Sequence, residues 1–308
     1  MTIQQMEYLV ALDKHRQFVK AADACGVTQS TLSMMVKKLE EELDTIIFDR
    51  DTQPIRPTAI GEKIISQAKV ILFHTEQLKE ITTSERVQAS GDVHLAIIPT
   101  VATDVIPLII KNIRKDNPDI HLYAYEMMTC DILEKLAKAE LDIAIMATPP
   151  KNSSLLEIPL YYEKFYAYVS PLDPLYGKAE LNSSDLPLER AWMLKEGNCL
   201  RDQIFYFSHG KSGYTANYEA GSIDTLVRIV NANGGFTVIP ELHLPFLSDA
   251  EKENVRPLVS PDVVREISIV IRRDFVRERI LNEVANAVKK SIPEHMIDSG
   301  LKKFAIRI

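Results

Sequence analysis

The segment from Phe18 to Leu39 constrains the fold of this chain more strongly than any other part of it. Apolar and small residues recur at helical spacing up to Cys25, Gly26 can adopt the backbone of a sharp turn, and Thr28 is a good N-cap for a second helix. Two short helices across a tight turn are therefore predicted. Such a pair is either a DNA-binding helix-turn-helix or an ordinary helical hairpin.

The second helix of this pair has an apolar face and a polar face. Its core-facing residues are Leu32, Met35, Val36 and Leu39. Its outward residues are Gln29, Ser30, Ser33 and Lys37. In a helix-turn-helix the outward residues would enter the major groove of double-stranded DNA.

A two-stranded wing is predicted next, with strands at 46–48 and 55–57 around a Pro-containing turn. From this wing, Arg50 and Arg56 could reach phosphates or the minor groove. Solvated surface arginines are the alternative interpretation.

A long helix is predicted from the Thr58 cap to about Gln88. Its apolar stripe consists of Ile60, Ile64, Ala68, Ile71, Leu78 and Ile81. Such a stripe on a protruding helix favours a homodimer formed through this linker helix, and packing within one chain is the alternative.

From Asp92 onward, short apolar strands alternate with amphipathic helices. The first set has strands at 93–98, 121–126 and 141–147 and helices at 104–115 and 131–139. A second set, starting near Lys164, includes 165–169, 222–232 and 236–240, and the chain returns through 267–271 and a final helix at 275–290. The pattern predicts an α/β domain with a mostly parallel, helix-covered sheet.

The composition limits the function more than the fold. The chain has 308 residues, of which 46% are apolar, and suits two or three domains. No segment approaches the ~20 apolar residues of a membrane span, and no secretory signal is recognised, so a cytoplasmic location without membrane contact is expected. Three cysteines argue against a disulfide scaffold. Scattered histidines and the lack of phosphate-binding or nucleophile-elbow motifs predict neither metal nor cofactor.

The net charge of −7 is unusual for a DNA-binding protein. The segment between Thr28 and Leu39 nevertheless carries two lysines and no acid, because the acidic run 40–42 begins only after it. DNA affinity is therefore expected to be modest and sensitive to salt.

Cys199 is the candidate reactive group. It precedes a predicted helix at 201–207, whose positive dipole end, with the nearby Arg201, would lower the thiol pKa. A packing cysteine is the alternative, and Cys25 and Cys130 are interpreted that way.

The first ninety residues resemble LysR-type transcriptional regulators. The matching residues are Phe18, Ala21-Ala22, Thr28-Gln29, Leu32-Ser33, Lys38-Leu39-Glu40, Leu43, Phe48-Asp49-Arg50, Pro57-Thr58 and Gly61. The resemblance implies a winged helix-turn-helix, a linker helix, and an effector domain of two periplasmic-binding-protein-like lobes crossed twice by hinge strands. Met34 stands where many members carry a basic residue, which leaves the operator sequence open.

Over essentially the whole chain the sequence also resembles the peroxide-sensing members of that family. The matching residues are Ile98-Pro99-Thr100, Glu126, Thr129, Met193-Leu194, Gly197, Cys199-Leu200-Arg201-Asp202-Gln203, Thr225-Leu226 and Ile239-Pro240. The resemblance implies that the Cys199 thiolate attacks hydrogen peroxide to give a sulfenic acid. It also implies a peroxide pocket, whose residues are Thr100, Thr129, Asp202 and Arg265, with Asn198 in place of a histidine found in many members.

Ser208 is the largest departure from that resemblance, because members carry a second, resolving cysteine at this position. Without it the sulfenic acid has no designated disulfide partner, and the protein would stay in its reduced state. The serine is either a natural variation or an introduced substitution, and the surrounding match favours the latter.

The domains expected are a DNA-binding domain at 1–58, a linker helix at 59–89 and a regulatory domain at 90–308. Within the last, lobe I covers about 90–163 and 268–308 and lobe II about 164–267. The preferred function is a peroxide-sensing transcription activator that binds operator DNA as a homodimer or homotetramer, with RNA polymerase as a candidate partner. Two alternatives remain: a LysR-type regulator binding a small carboxylate between its lobes, and a thiol peroxidase with Cys199 as nucleophile.

Overall fold

The computed structural model describes residues 1–83, 89–147, 154–183, 186–208, 218–259 and 263–304. The chain divides into two compact units, which correspond to the helical N-terminal part and the α/β remainder. Within the described ranges no helix combines the length and apolar character needed to span a membrane.

The N-terminal unit is a winged helix-turn-helix. Its elements are α1 (Ile3–His15), α2 (Phe18–Ala24), α3 (Gln29–Glu42), β1 (Phe48–Asp49), β2 (Arg56–Pro57) and α4 (Ala59–Thr83). Gly26 takes a positive φ of 65° in the turn, and the Thr28 side chain caps α3 by accepting from the Thr31 N–H at 3.2 Å. Leu32, Val36 and Leu39 are buried as predicted, while Met35 is partly buried against the same core.

The wing is fixed to the helices by two close contacts. One Glu40 carboxylate oxygen accepts from the backbone N–H groups of Ile47 and Phe48 at 2.8 and 3.2 Å. A Cβ atom on Gly61 would lie 2.0 Å from the Ile47 carbonyl oxygen, so only glycine lets α4 approach the wing this closely. Local turn chemistry and one small residue thus set the geometry of this domain.

The apolar stripe of α4 does not lie uncovered along its whole length, as a contact with a second subunit would require. Ala68 is fully buried in the core of its own unit, and Ile64 and Ile71 pack against that core. The alternative of packing within one chain is therefore correct for this half of α4, because the helix covers α1. Ile60 and Leu78 are exposed, and the side chain of Ile81 and the predicted continuation to Gln88 lie outside the described residues.

Leu78 is consequently the sharper probe of a homodimer formed through α4. Leu78 is 67% exposed, so Leu78→Asp should separate the subunits in sedimentation velocity while leaving the thermal unfolding of the N-terminal unit unchanged. Ile71→Asp is the matched control, and it should instead lower domain stability by about 1–3 kcal/mol because it places a charge against the core. An unchanged oligomer in Leu78→Asp would exclude this face as the dimer interface.

The second unit is built on a mixed eight-stranded sheet. Its strands are β3 (Gly91–Ile97), β4 (Ile120–Glu126), β5 (Ile143–Ala147), β6 (Leu155–Val169), β7 (Leu181–Asn182), β10 (Phe236–Pro240), β11 (Val255–Val259) and β12 (Val264–Arg272), with β8 (Met193–Leu194) and β9 (Glu219–Ala220) as a separate parallel pair. Its helices are α5 (Pro99–Asp116), α6 (Thr129–Ala137), α7 (Cys199–Phe207), α8 (Ile223–Asn233), α9 (Asp249–Lys252) and α10 (Glu278–Lys289). The sheet order is β4-β3-β5-β12-β6-β11-β7, and β10 also pairs with β6.

The prediction of a mostly parallel sheet is wrong. The pairs of β3 with β4 and β5 are parallel, but β12 runs antiparallel to both β5 and β6. The long strand β6 spans 15 residues, of which the sequence pattern identified only 165–169. Its first two thirds were missed because Pro159, Glu163 and Lys164 interrupt the apolar pattern. Strand β6 pairs with β12 over residues 155–164 and with β10 over residues 165–169, so it runs through both parts of the sheet.

Candidate functional site

The N-termini of two helices approach each other at Cys199. Helix α5 begins at Pro99, five residues before the predicted start, so that Thr100 lies in its first turn. Helix α7 begins at Cys199 itself. Neither helix has a side-chain N-cap, because Ile98 and Asn198 make no capping hydrogen bond. Uncapped N–H groups and the positive dipole ends make this a favourable place for negative charge.

Arg265 forms the rigid side of the site. The residue is fully buried in β12, and its Nε donates to Glu163 Oε1 at 2.6 Å. Its Nη1 donates to the Thr100 hydroxyl at 2.9 Å and its Nη2 to the Thr100 carbonyl oxygen at 3.0 Å. The guanidinium therefore ties β12, β6 and the start of α5 together beside the sulfur.

Glu163 completes this framework and was not identified from the sequence. It faces Arg265 directly across the antiparallel β6–β12 pair and is fully buried. Its second oxygen accepts from the Leu242 N–H at 3.4 Å. Burial raises the pKa of the Glu163 carboxyl, whereas the charge and hydrogen bond of Arg265 act to lower it. The sequence offered one clue to this pair, since Glu163 and Arg265 are opposite charges within otherwise apolar strands. The pairing register of β6 with β12 was needed to show that they face each other.

The expectation of a lowered thiol pKa at Cys199 is not met. Burial raises the pKa of this thiol, and the Arg265 charge, hydrogen bonding from the Thr100 hydroxyl and the Leu200 N–H only partly oppose it. Arg201 does not supply the predicted cation, because its guanidinium pairs with Glu219 and also donates to the Leu194 carbonyl oxygen at 3.4 Å. The Arg265 charge and the two hydrogen bonds therefore do not outweigh the effect of burial on this thiol.

The remaining predicted pocket residues are less closely joined to the sulfur. Asp202 is exposed in the first turn of α7, and its charge further raises the pKa of Cys199. Asn198 is buried, but its side chain turns back to the Lys195 carbonyl oxygen at 3.5 Å. Thr129 is partly buried at the start of α6. Thr100, Cys199 and Arg265 thus form the centre of the site.

A small cavity adjoins this centre, and Thr100 forms part of its wall. Its volume is about 30 Å³, and its polar lining includes Thr103, Asp104, Glu126, Ser222 and His243. This cavity was not predicted from the sequence, because its residues come from separate elements of the fold.

Ser208 lies at the opposite end of α7 from Cys199. The helix is continuous from Cys199 to Phe207, and the Ser208 hydroxyl donates to the Ile204 carbonyl oxygen at 2.6 Å. At 1.5 Å per residue the two positions are about 13 Å apart, well beyond the ~7 Å limit between the Cα atoms of a disulfide. A covalent link between these positions would require α7 to unwind.

The candidate DNA-binding surface lies on α3 and the wing. Gln29, Ser30 and Lys37 are exposed and Ser33 is partly buried. Arg56 is also exposed, whereas Arg50 is engaged by Glu40 at 2.6 Å and lies over the Phe18 ring at 5.6 Å. Arg50 therefore holds the wing against the helices, and Arg56 is the freer of the two for a phosphate contact.

Two family models together match most of the chain. The model described as "Bacterial regulatory helix-turn-helix protein, lysR family" matches residues 3–62. The model described as "LysR substrate binding domain" matches residues 86–292. Both halves of the molecule thus agree with the resemblance noted in the sequence.

Individual relatives match over nearly the full length. The "Hydrogen peroxide-inducible genes activator" of Haemophilus influenzae is 34% identical over 306 residues, covering 98% of this chain and 100% of the relative. The "DNA-binding transcriptional dual regulator OxyR" of Escherichia coli is 32% identical over 305 residues, covering 98% and 99%. Full-length OxyR C199D from Pseudomonas aeruginosa superposes with a TM-score of 0.80 at 30% identity, covering 94% of this chain and 95% of that one.

Proposed function

The chain belongs to the LysR family of DNA-binding transcription regulators, and from that premise we propose that it senses hydrogen peroxide through oxidation of Cys199. The observation that carries this proposal is the fixed group of Thr100, Arg265 and Glu163 around a partly buried sulfur at two helix N-termini. Relatives named for peroxide induction support it.

The geometry suits attack of sulfur on a peroxide oxygen. When the S–O bond forms, the O–O bond breaks and negative charge develops on the departing oxygen. The Arg265 cation and the N–H groups at the start of α7 would stabilise that charge without rearranging, because Arg265 is already held by Glu163 and Thr100. In the proposal the hydroxyl of Thr129 would hold the peroxide, while Thr100, whose hydroxyl already contacts the sulfur, would line the same pocket.

A small carboxylate is the second candidate effector, because helix N-termini suit anions in general. Two observations favour peroxide over it. All three kinds of nitrogen on Arg265 already donate to Glu163 and Thr100. The cavity beside Thr100, at about 30 Å³, has room for only one or two molecules of the size of water and is therefore too small for a carboxylate effector.

The decisive experiment is mass spectrometry of the full chain after addition of hydrogen peroxide, with a sulfenic-acid-specific probe present. We expect Cys199 to be labelled stoichiometrically, Cys199→Ser to remain unlabelled, and Cys25 and Cys130 to remain largely thiols. DNA footprints recorded on the same samples should not change on oxidation, because no thiol at position 208 can hold a rearranged α7 through a disulfide. If Cys199 is inert to excess peroxide and the footprint responds to small carboxylates, the chain is instead a regulator that responds to a small carboxylate.

We further propose that Ser208 keeps this chain in the reduced arrangement. A serine hydroxyl cannot form a disulfide, so oxidation would stop at sulfenic acid or proceed to higher oxidation states. The continuous helix α7 accords with this proposal.

The assembly proposed is a homodimer through the exposed side of α4, pairing further into a homotetramer on operator DNA in the cytoplasm. Residues 1–58 would bind DNA, 59–89 would link the subunits, and the remainder would regulate. Paired recognition helices about one DNA turn apart require such a dimer. The name of the Haemophilus influenzae relative suggests activation, with RNA polymerase as the further partner.

Lys37 should supply the principal charged contact of α3 with DNA. It is 67% exposed, and its pair with Glu41 at 3.6 Å is a weak surface pair that DNA phosphate can replace. Lys37→Ala should weaken operator binding and reduce the slope of log K against log salt by about 1. Lys63→Ala, exposed on α4, is the control and should change neither. An unchanged affinity and slope for Lys37→Ala would place the recognition surface elsewhere.

A further inference from the structure

Asp104 and His243 form a buried polar pair in the cavity beside Thr100. Asp104 comes from α5 and His243 from the six-residue 3₁₀ helix Glu241–Phe246 that follows β10. Both side chains are only 3% exposed, and Asp104 Oδ1 lies 3.5 Å from His243 Nδ1. The opposite ring nitrogen, Nε2, lies 3.8 Å from Asp224 Oδ1 on α8, whose side chain is 55% exposed.

The pair is poised to exchange protons with a molecule in that cavity. Asp104 Oδ1 and His243 Nδ1 are both buried without a direct hydrogen-bond partner. Buried polar atoms are normally satisfied, and a cavity of about 30 Å³ between polar walls can hold one or two water molecules that would bridge them. The cavity also brings this pair to Thr100, whose hydroxyl interacts with the Cys199 sulfur.

Thr100 can conduct a proton between the two sites. One lone pair of its hydroxyl accepts from Arg265 Nη1. The second lone pair and the hydroxyl hydrogen remain for two further hydrogen bonds, one with the sulfur and one with the cavity. A proton can therefore move from sulfur to cavity through this group without breaking the Arg265 contact.

We propose that His243, oriented by Asp104, relays the thiol proton of Cys199 to the departing peroxide oxygen, an inference that rests on the proposed function. The thiol proton passes through Thr100 and a cavity water to the imidazole, which leaves a thiolate. The sulfur electron pair then attacks the near peroxide oxygen, the S–O bond forms, and the O–O bond breaks with its electrons on the far oxygen. The resulting hydroxide takes a proton back from the imidazolium, and the products are the sulfenic acid and one water.

Such a relay would supply the thiolate that Cys199 needs for its attack on peroxide. Burial raises the pKa of Cys199, so the reactive thiolate must be generated by a base at the moment of attack. Imidazole suits this task near neutral pH, and an adjacent carboxylate stabilises the imidazolium. The acidic groups that face His243 are Asp104 from α5, Asp224 from α8 and Glu126 at the end of β4.

The test is the second-order rate constant of Cys199 oxidation by hydrogen peroxide as a function of pH, measured on the full chain. His243→Gln should lower this constant about 10²-fold near neutral pH and approach the unaltered rate at high pH, where the thiol ionises unaided. Asp104→Asn should show an intermediate loss with the same recovery. His295→Gln is the matched control, since His295 is exposed and pairs with Glu241 outside the cavity; its profile should match the unaltered chain.

Each outcome separates the relay from the function on which it rests. If the unaltered chain does not react with peroxide, the sensing proposal fails. If it reacts and His243→Gln reacts at the same rate, only the relay fails. A loss that is equal at every pH would assign His243 a structural role and would also overturn the relay. The fluorescence of Trp192, which lies in the same unit as His243, shows whether that unit is folded in the reduced variants.

Discussion

Replacing Arg265 with methionine should destabilise the second unit by about 3–5 kcal/mol, because it leaves the buried carboxylate of Glu163 without its cationic partner. Trp192, the single tryptophan of the chain, lies in this unit, so its fluorescence during urea unfolding reports the change. The double variant Arg265→Met with Glu163→Gln should recover a large part of the loss, since it removes both charges.

The loss of unfolding free energy caused by Arg265→Met should depend on pH in a defined direction. Burial raises the pKa of Glu163 in the folded chain, and this substitution removes the charge that lowers it. Between the pKa values of the unfolded and folded states, the folded chain holds the proton and the unfolded chain does not. Stability therefore falls as pH rises through this window, and the deficit should be smaller near pH 5 than near pH 8.

Arg272→Met provides the matched control at the end of the same strand. Arg272 pairs at 2.6 Å with Asp274, whose carboxylate is 40% exposed, and because water screens this pair its loss should cost about 1 kcal/mol or less. Equal effects of the two substitutions would show that the buried Arg265–Glu163 pair contributes no more than a surface contact.

Ser208→Cys should convert a chain without an intramolecular disulfide into one that forms it almost completely on treatment with peroxide. The sulfenic acid on Cys199 would then have a thiol partner, and the condensation releases one water. Because the two positions lie at opposite ends of α7, about 13 Å apart, bond formation should unwind this helix. Non-reducing peptide mapping detects the bond, and far-ultraviolet circular dichroism and DNA footprinting report its consequences.

The combination of Ser208→Cys with Cys199→Ser is the control and should yield no bond within the chain. Cys130 should not replace the introduced thiol in any variant, since it is exposed at the start of a different helix. A Cys130–Cys199 disulfide in the unaltered chain would contradict both this prediction and the proposed role of position 208.

Local signals in the sequence predicted the local structure well. Gly26 and Thr28 located the turn of the DNA-binding domain, and the glycines before Phe236 located β10 at its observed bounds. The family resemblance, rather than the spacing of residues, brought Thr100, Cys199 and Arg265 to one site.

The errors arose where distant parts of the chain decide the outcome. The periodicity of α4 showed an apolar stripe at Ile64 and Ile71, but it could not show that α1 covers it. The thiol pKa of Cys199 depends on burial by the whole fold, which no local motif reveals. Glu163 and the Asp104–His243 pair acquire their roles only through tertiary contacts.

The two sides of the Cys199 site are held with unequal firmness, so one side can move more easily than the other. On one side, Arg265 is clamped by hydrogen bonds of 2.6, 2.9 and 3.0 Å to two separate elements. On the other, the first turn of α7 is held by backbone bonds of 3.4 Å from Asn198 N–H to Lys195 and of 3.1 and 3.4 Å from the N–H groups of Arg201 and Asp202 to Asn198, with no side-chain cap. An oxygen atom added to Cys199 needs space. Because the first turn of α7 is held less firmly than Arg265, this turn should move first. Oxidation of Cys199 should therefore displace α7 in the direction of Ser208, while strands β6 and β12 stay in place.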